Sequence, residues 1–173
     1  MNTQLLQFLR DLAEDPKHNG CFEPLETSAV FDMRYCETAK GVLPGAVYCI
    51  AVYLADRDAQ TLEQEALQKK SLKTPLKRIR RLPLETEKGK SVYPLYWGKD
   101  EAVGFRLYRH ILDKNPKAGC LGIRFYEALG QRSILAASLP LKDFARFETL
   151  VEKEYPSMLY SIKKNNIDEY SRL

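Results

Sequence analysis

A chain of 173 residues with 45% hydrophobic and 29% charged content has an ordinary globular composition, and it is long enough to bury a core without disulfide or metal staples. No apolar run approaches membrane-spanning length, and "MNTQLLQFLRDLAED" lacks the basic start and apolar core of a secretory signal, so the expectation is a cytoplasmic protein with no membrane association. The net charge of +4 is mild, but nine of the 27 Lys and Arg residues lie between positions 69 and 90 against two of the 23 acidic residues, leaving 18 basic against 21 acidic elsewhere.

In chain order, Leu5, Leu6, Leu9 and Leu12 recur at helical spacing and predict an amphipathic first helix. An irregular, Pro- and Gly-marked stretch follows over 16–45, with room for a short strand around "SAVFDMRYC"; His18 falls in it and reads as a surface residue. "AVYCIAVYL" (46–54) is rich in β-branched and aromatic residues and reads as a strand buried on both faces. "DAQTLEQEALQKKSLK" reads as a helix with a basic end, and "TPLKRIRRLPLETEKGK", with two prolines and little periodicity, as a loop or irregular insertion. "SVYPLYWG" is a second strand in which Pro94 argues for an edge position or a bulge.

Residues 100–113 predict a helix with Asp100 as N-cap and Pro116 past its end. "CLGIRFYEAL" and "RSILAASL", joined by "GQ", read as a β-hairpin, on which Arg124, Glu127 and Arg132 are either surface or substrate contacts. "LKDFARFETLVEKEY" is an amphipathic helix with Phe144, Phe147, Leu150, Val151 and Tyr155 on one side, capped by Asp143 and stopped by Pro156. The tail "SIKKNNIDEYSRL" is polar, either helical or frayed. This order of strands and helices implies an α+β fold, a small, mostly antiparallel sheet flanked by helices.

Much chemistry has no motif here. Cys21, Cys36, Cys49 and Cys120 are scattered without a C-x-x-C pair, which reads as reduced, mostly buried thiols. There is no triad spacing, H-E-x-x-H, P-loop or dinucleotide fingerprint. The basic stretch holds Lys69, Lys70, Lys73, Lys77, Arg78, Arg80 and Arg81. Such a focus attracts polyanions; the plainer alternative is a solvated loop. One further pattern remains. "YPLYWGKDEAVGFRLYRHIL" runs from a strand through Gly98-Lys99 into a helix with Arg106 and His110 one turn apart on the same side.

"PGAVYCI" followed by "YPLYWGK" resembles the paired motifs of the GIY-YIG nuclease family, with Tyr48 and Tyr96 as the two tyrosines, Arg106 ten residues after the second and His110 fourteen after it. "FETLVEKEYPSMLY" resembles the family's later glutamate helix, with Glu148 as the glutamate and Pro156 as the proline. The resemblance covers about residues 41–160, about two-thirds of the chain, and implies a nuclease core there with the basic insertion at about 55–91, preceded by an N-terminal helix and extension (1–40) and followed by a tail (161–173). The chain departs from the pattern in four ways. Ala46 replaces the first glycine, although Gly45 is adjacent, and Trp97 replaces a small aliphatic residue. The gap between the tyrosine motifs is long, and the asparagine expected after Pro156 is absent, with Tyr160 near its place and Asn165 and Asn166 as the nearest substitutes.

The resemblance implies a divalent-metal-dependent endonuclease of the restriction or defence kind. Glu148 would be the hard ligand for Mg²⁺ or Mn²⁺ and Arg106 a planar fork for phosphate oxygens. Tyr48, Tyr96 and His110 would handle protons, and Lys99 would be a further cation. DNA is the expected partner, with homodimerisation as one route to cutting both strands. The basic stretch would contact backbone phosphates without reading sequence. The alternatives are a DNA-binding module that has lost catalysis and an interaction protein that uses its basic loop.

Overall fold

The structure is a computed structural model that describes residues 4–18, 30–32, 47–76, 80–99, 105–112, 115, 117–130 and 132–170. Asp100, Pro116, Lys77, Arg78, Cys21, Cys36 and the Pro44–Ala46 approach to the first tyrosine motif lie outside the described residues.

The described elements are α1 (Gln4–Glu14), β1 (Val30–Asp32), β2 (Val47–Leu54), α2 (Asp56–Gln68), β3 (Ser91–Lys99), α3 (Phe105–Leu112), β4 (Ile134–Leu139), α4 (Phe144–Glu154) and α5 (Ile167–Tyr170). The four strands form one sheet in the order β1-β4-β2-β3, every pair antiparallel. The α+β class expected from the sequence is the class observed. Among the described residues no helix is long and apolar enough to cross a membrane.

β2 lies inside the sheet, and its alternating side chains supply two cores. Tyr48, Ile50, Val52 and Leu54 pack with Ala59, Leu62 and Ala66 of α2 and Leu107 and Ile111 of α3. Val47, Cys49 and Ala51 pack on the opposite face with α1 and with Phe147 and Val151 of α4. That period-2 split is why the segment is apolar throughout. α1 buries the leucines its spacing picked out, together with Phe8 and Ala13.

β3 is an edge strand, and both readings of Pro94 hold. The register slips between Ile50 and Ala51, which pair with Tyr96 and Pro94 and leave Leu95 as the extra residue. A bulge shifts the side-chain phase by one. Tyr93 and Tyr96, three apart, therefore share a face, and Trp97 turns to the α1/α4 side. The outer edge of β3 is covered by the segment after α4, where the Met158 and Leu159 N–H groups donate to the carbonyls of Pro94 (3.1 Å) and Leu95 (2.9 Å).

Two expectations need correction. The hairpin does not form: residues 123–125 and 127–129 are 3-10 turns and only Ile134–Leu139 is a strand. Ile123, Tyr126 and Leu129 are buried while their neighbours Arg124 and Glu127 are not, a repeat of three that fits the 3-10 turn, and Gly122 enters it at φ +66°. Arg132 is paired to Asp58 at 2.7 Å. Of the two readings of the tail the helical one holds, with α5 at Ile167–Tyr170 and Ile162, Asn166 and Tyr170 buried. His18 is buried at 2% exposure, because the turn Pro16–His18 folds it onto Phe147 and to 3.8 Å from Glu154.

Candidate functional site

The tyrosine motifs meet because β2 and β3 are neighbours. Tyr48 lies opposite Gly98 in the pairing, and the bulge turns Tyr96 to the same face. The Tyr48 and Tyr96 ring centroids are 6.2 Å apart, and His110 of α3 stands 5.0 Å from Tyr96 and 6.2 Å from Tyr48. Gly98 is required by this packing: a Cβ there would come within 2.3 Å of Tyr48 Cζ and 2.4 Å of its Oη.

The three rings differ in access. Tyr48 and His110 are buried at 1% and 2% exposure, whereas Tyr96 is half-buried. The Leu121 N–H donates to His110 Nδ1 (3.1 Å). That bond occupies the Nδ1 lone pair and puts the proton of the neutral ring on Nε2, which makes Nε2 a donor rather than a base.

A row of charged groups starts at Lys99, at the end of the strand that carries Tyr96. Arg106 Nη1 donates to the carbonyl of Lys99 (3.3 Å), and Lys99 Nζ lies 3.5 Å from Glu148 Oε2. Arg106 is exposed, Lys99 has 39% of its side chain accessible and Glu148 16%. α4 sets the glutamate by burying Phe147 and Val151 one turn apart; Glu148 and Glu152, each one position further on, then line its flank. The helix starts at Asp143, whose carboxylate accepts the Arg146 N–H.

Trp97 explains its own departure from a small residue. Its indole N–H donates to the Tyr155 carbonyl (2.7 Å) and its backbone N–H to the Ser157 hydroxyl (3.0 Å), tying β3 to the end of α4. Ser157 passes a hydrogen bond to Glu152 (3.0 Å), which is paired to Lys73. Burial pushes the Lys73 ammonium down, opposed by the Glu148 carboxylate. Lys73 thus extends the row to Arg106, Lys99, Glu148, Lys73.

Among the described residues of the basic stretch, Lys69, Lys70, Arg80 and Arg81 lie elsewhere. Lys69 is buried, its ammonium over the Tyr126 and Tyr170 rings (5.8 and 5.2 Å). Burial pushes it down against the carboxylates of Glu65, Glu127 and Glu169, so it is no exposed contact for a polyanion. Lys70 is exposed and lies 3.6 Å from Glu169. Arg81 binds Ser91 (3.4 Å) and Asp56 (3.3 Å) at the start of β3, the end opposite Lys99. Arg80 is exposed, and its charge reaches Tyr155.

Neither substitute asparagine stands in the row. Asn166 is buried and donates to the Lys69 carbonyl and to Glu169, and Asn165 is exposed in the turn before α5. Two clefts of about 380 and 450 Å³ lie beside α2, lined by Glu65, Lys69 and Glu169 and by Asp58 and Arg132 respectively, with Thr61 and Glu127 common to both, and no residue of the row lines them. Sequence reading missed Ser157, Trp97 as an anchor and the approach of Lys73 to Glu148; the tryptophan in place of a small residue was the available signal.

Among the described residues no three His, Cys, Asp or Glu side chains gather to hold a metal ion. The donor set at Glu148 is one hard carboxylate, partly accessible and only loosely paired. That fits Mg²⁺, which keeps several waters and takes other oxygens from a phosphate. No family model, no curated protein and no solved structure matches this chain.

Proposed function

We propose that the chain is a divalent-metal-dependent endonuclease that hydrolyses phosphodiester bonds in DNA and resembles the GIY-YIG nucleases. The observation that carries the reading is that Lys99 joins Arg106 and Glu148, its carbonyl accepting from the first and its ammonium facing the second, at the end of β3, the strand that brings Tyr96 to Tyr48 and His110. Arg106 and Glu148, 42 positions apart in the chain, are linked through Lys99.

Arg106 and Lys99 bind the non-bridging oxygens of the phosphate. Tyr96 is the phenol that solvent reaches, and it orients the attacking water. Tyr48 and His110 are positioning residues: both are buried and act through Tyr96, the histidine as a hydrogen-bond donor. Glu148 would hold Mg²⁺ or Mn²⁺, which supplies charge neutralisation and an acidified water when bound. A DNA-binding module without catalysis is the second reading, favoured by the Lys99 ammonium 3.5 Å from Glu148.

Plasmid cleavage in Mg²⁺ or Mn²⁺ by the wild type, Arg106→Ala and Glu148→Ala proteins separates them. The expected result is nicked or linear product, lost about 100-fold or more in both variants, with Glu148→Ala still binding DNA. Salt-sensitive binding without cleavage selects the second reading, and cleavage unchanged in the variants rejects this site.

A further inference from the structure

Tyr160 is one of two large apolar side chains exposed among the described residues, at 40% against 51% for Leu67. Its backbone is pinned. The Tyr160 N–H donates to the Ser71 carbonyl (2.7 Å), Leu159 N–H donates to Leu95 of β3, and Leu72 and Leu159 form a bridge. A fixed backbone with its ring in solvent is a poor use of an aromatic for stability. The ring is placed by Lys73, whose ammonium lies 5.6 Å from its centroid while pairing with Glu152 and sensing Glu148. Tyr160 therefore ends the row Arg106, Lys99, Glu148, Lys73.

A nucleic-acid backbone laid along Arg106, Lys99 and Lys73 brings a neighbouring base to that ring. Aromatic faces stack on any base, and an adjacent cation adds to the attraction. A base within a duplex is already stacked on both sides and is not available. We infer that Tyr160 is a stacking platform for an unpaired base next to the phosphate held at Glu148, so that the preferred substrate is single-stranded or locally unpaired nucleic acid. The inference rests on the nuclease reading.

The test uses the full chain carrying Glu148→Gln, which binds without cutting, and a fluorescent 12-nucleotide single strand beside its duplex. The single strand should bind about tenfold more tightly than the duplex. Tyr160→Ser should remove that preference, leaving duplex affinity unchanged, and Tyr160→Phe should keep it, because stacking needs the ring and not the hydroxyl. A 2-aminopurine in the single strand should be quenched by the parent and Phe proteins and not by the Ser protein. Single-strand binding unchanged in Tyr160→Ser, or lost equally for both nucleic acids, overturns the stacking role and leaves the nuclease reading standing. No binding of either nucleic acid by the wild type or the Glu148→Gln protein overturns both.

Discussion

Tyr48 can lie flat over β3 only because position 98 has no side chain. A methyl group there would fall 2.3–2.7 Å from three atoms of its phenol ring, inside any tolerable contact, and the ring is enclosed at 1% exposure. Gly98→Ala should therefore cost about 3 kcal/mol of stability, in the range of overpacked cores. Tyr48→Ala leaves a cavity and costs about as much or more, but it also removes what the alanine strikes. The double variant should be more stable than the sum of the two losses predicts by at least about 1 kcal/mol, read by urea denaturation. Strict additivity would mean that the two positions do not touch. At this scale the sequence was legible where the signal was local: Tyr96, Arg106 and His110 stand at fixed spacings on two consecutive elements. His18 was not legible, because its burial depends on α4 returning over it from more than a hundred residues away.

Element boundaries follow from capping that propensity does not announce. α2 ends at Gln68, short of the basic run expected to continue it. The Lys70 N–H donates to the Leu67 carbonyl and the Ser71 N–H to the Ala66 carbonyl, with Lys70 in the left-handed region at φ 51°. This is the Schellman arrangement, which favours glycine at the position Lys70 holds. Lys70→Gly should raise stability by about 1 kcal/mol and the melting midpoint by about 2–4 °C. The ion pair it forfeits, 3.6 Å long with the Lys70 side chain 73% accessible, contributes little. A lower midpoint in calorimetry would show that the ion pair outweighs the backbone strain. The sheet was legible in β2 and β3, where a run of apolar residues and a proline carried their usual meanings. The false hairpin arose because "CLGIRFYEAL" is apolar enough for a strand, and only the spacing of three between Ile123, Tyr126 and Leu129 marked it as 3-10 turns. Lys73 joined the site for a reason no local pattern holds: the chain after α4 pairs Leu159 with Leu72 and Leu95, drawing the insertion to the edge of β3.

Among the described residues the sheet lies between two cores, and alkaline titration reports on both. Cys49 lies in the core under α1 and α4, where burial pushes its thiol well above the ordinary 9.0. Tyr126 and Tyr170 lie in the other core, bonded to each other (3.2 Å) and with Tyr126 also to Ser71. Burial pushes both phenols above the ordinary 10.0, and burial likewise raises Tyr93 and Tyr155. A group whose folded pKa is raised stabilises fully below its unfolded value and loses that contribution as pH rises through the folded one, because the unfolded chain then binds fewer protons. Lys69 and Lys73, held below 10.5 by burial, act in the opposite sense: their burial penalty is relieved as pH rises, so they offset part of the loss. Four raised phenols and a thiol outnumber them. The melting midpoint should hold from about pH 7 to 9 and then fall, beginning above the cysteine's 9.0 and steepening above the tyrosines' 10.0. Cys49→Ala should flatten the first part of that fall and leave the second, and Tyr170→Phe should reduce the second and leave the first. A midpoint that stays level to pH 11 in a scan of the wild type would place these groups in contact with water and contradict the two-core arrangement.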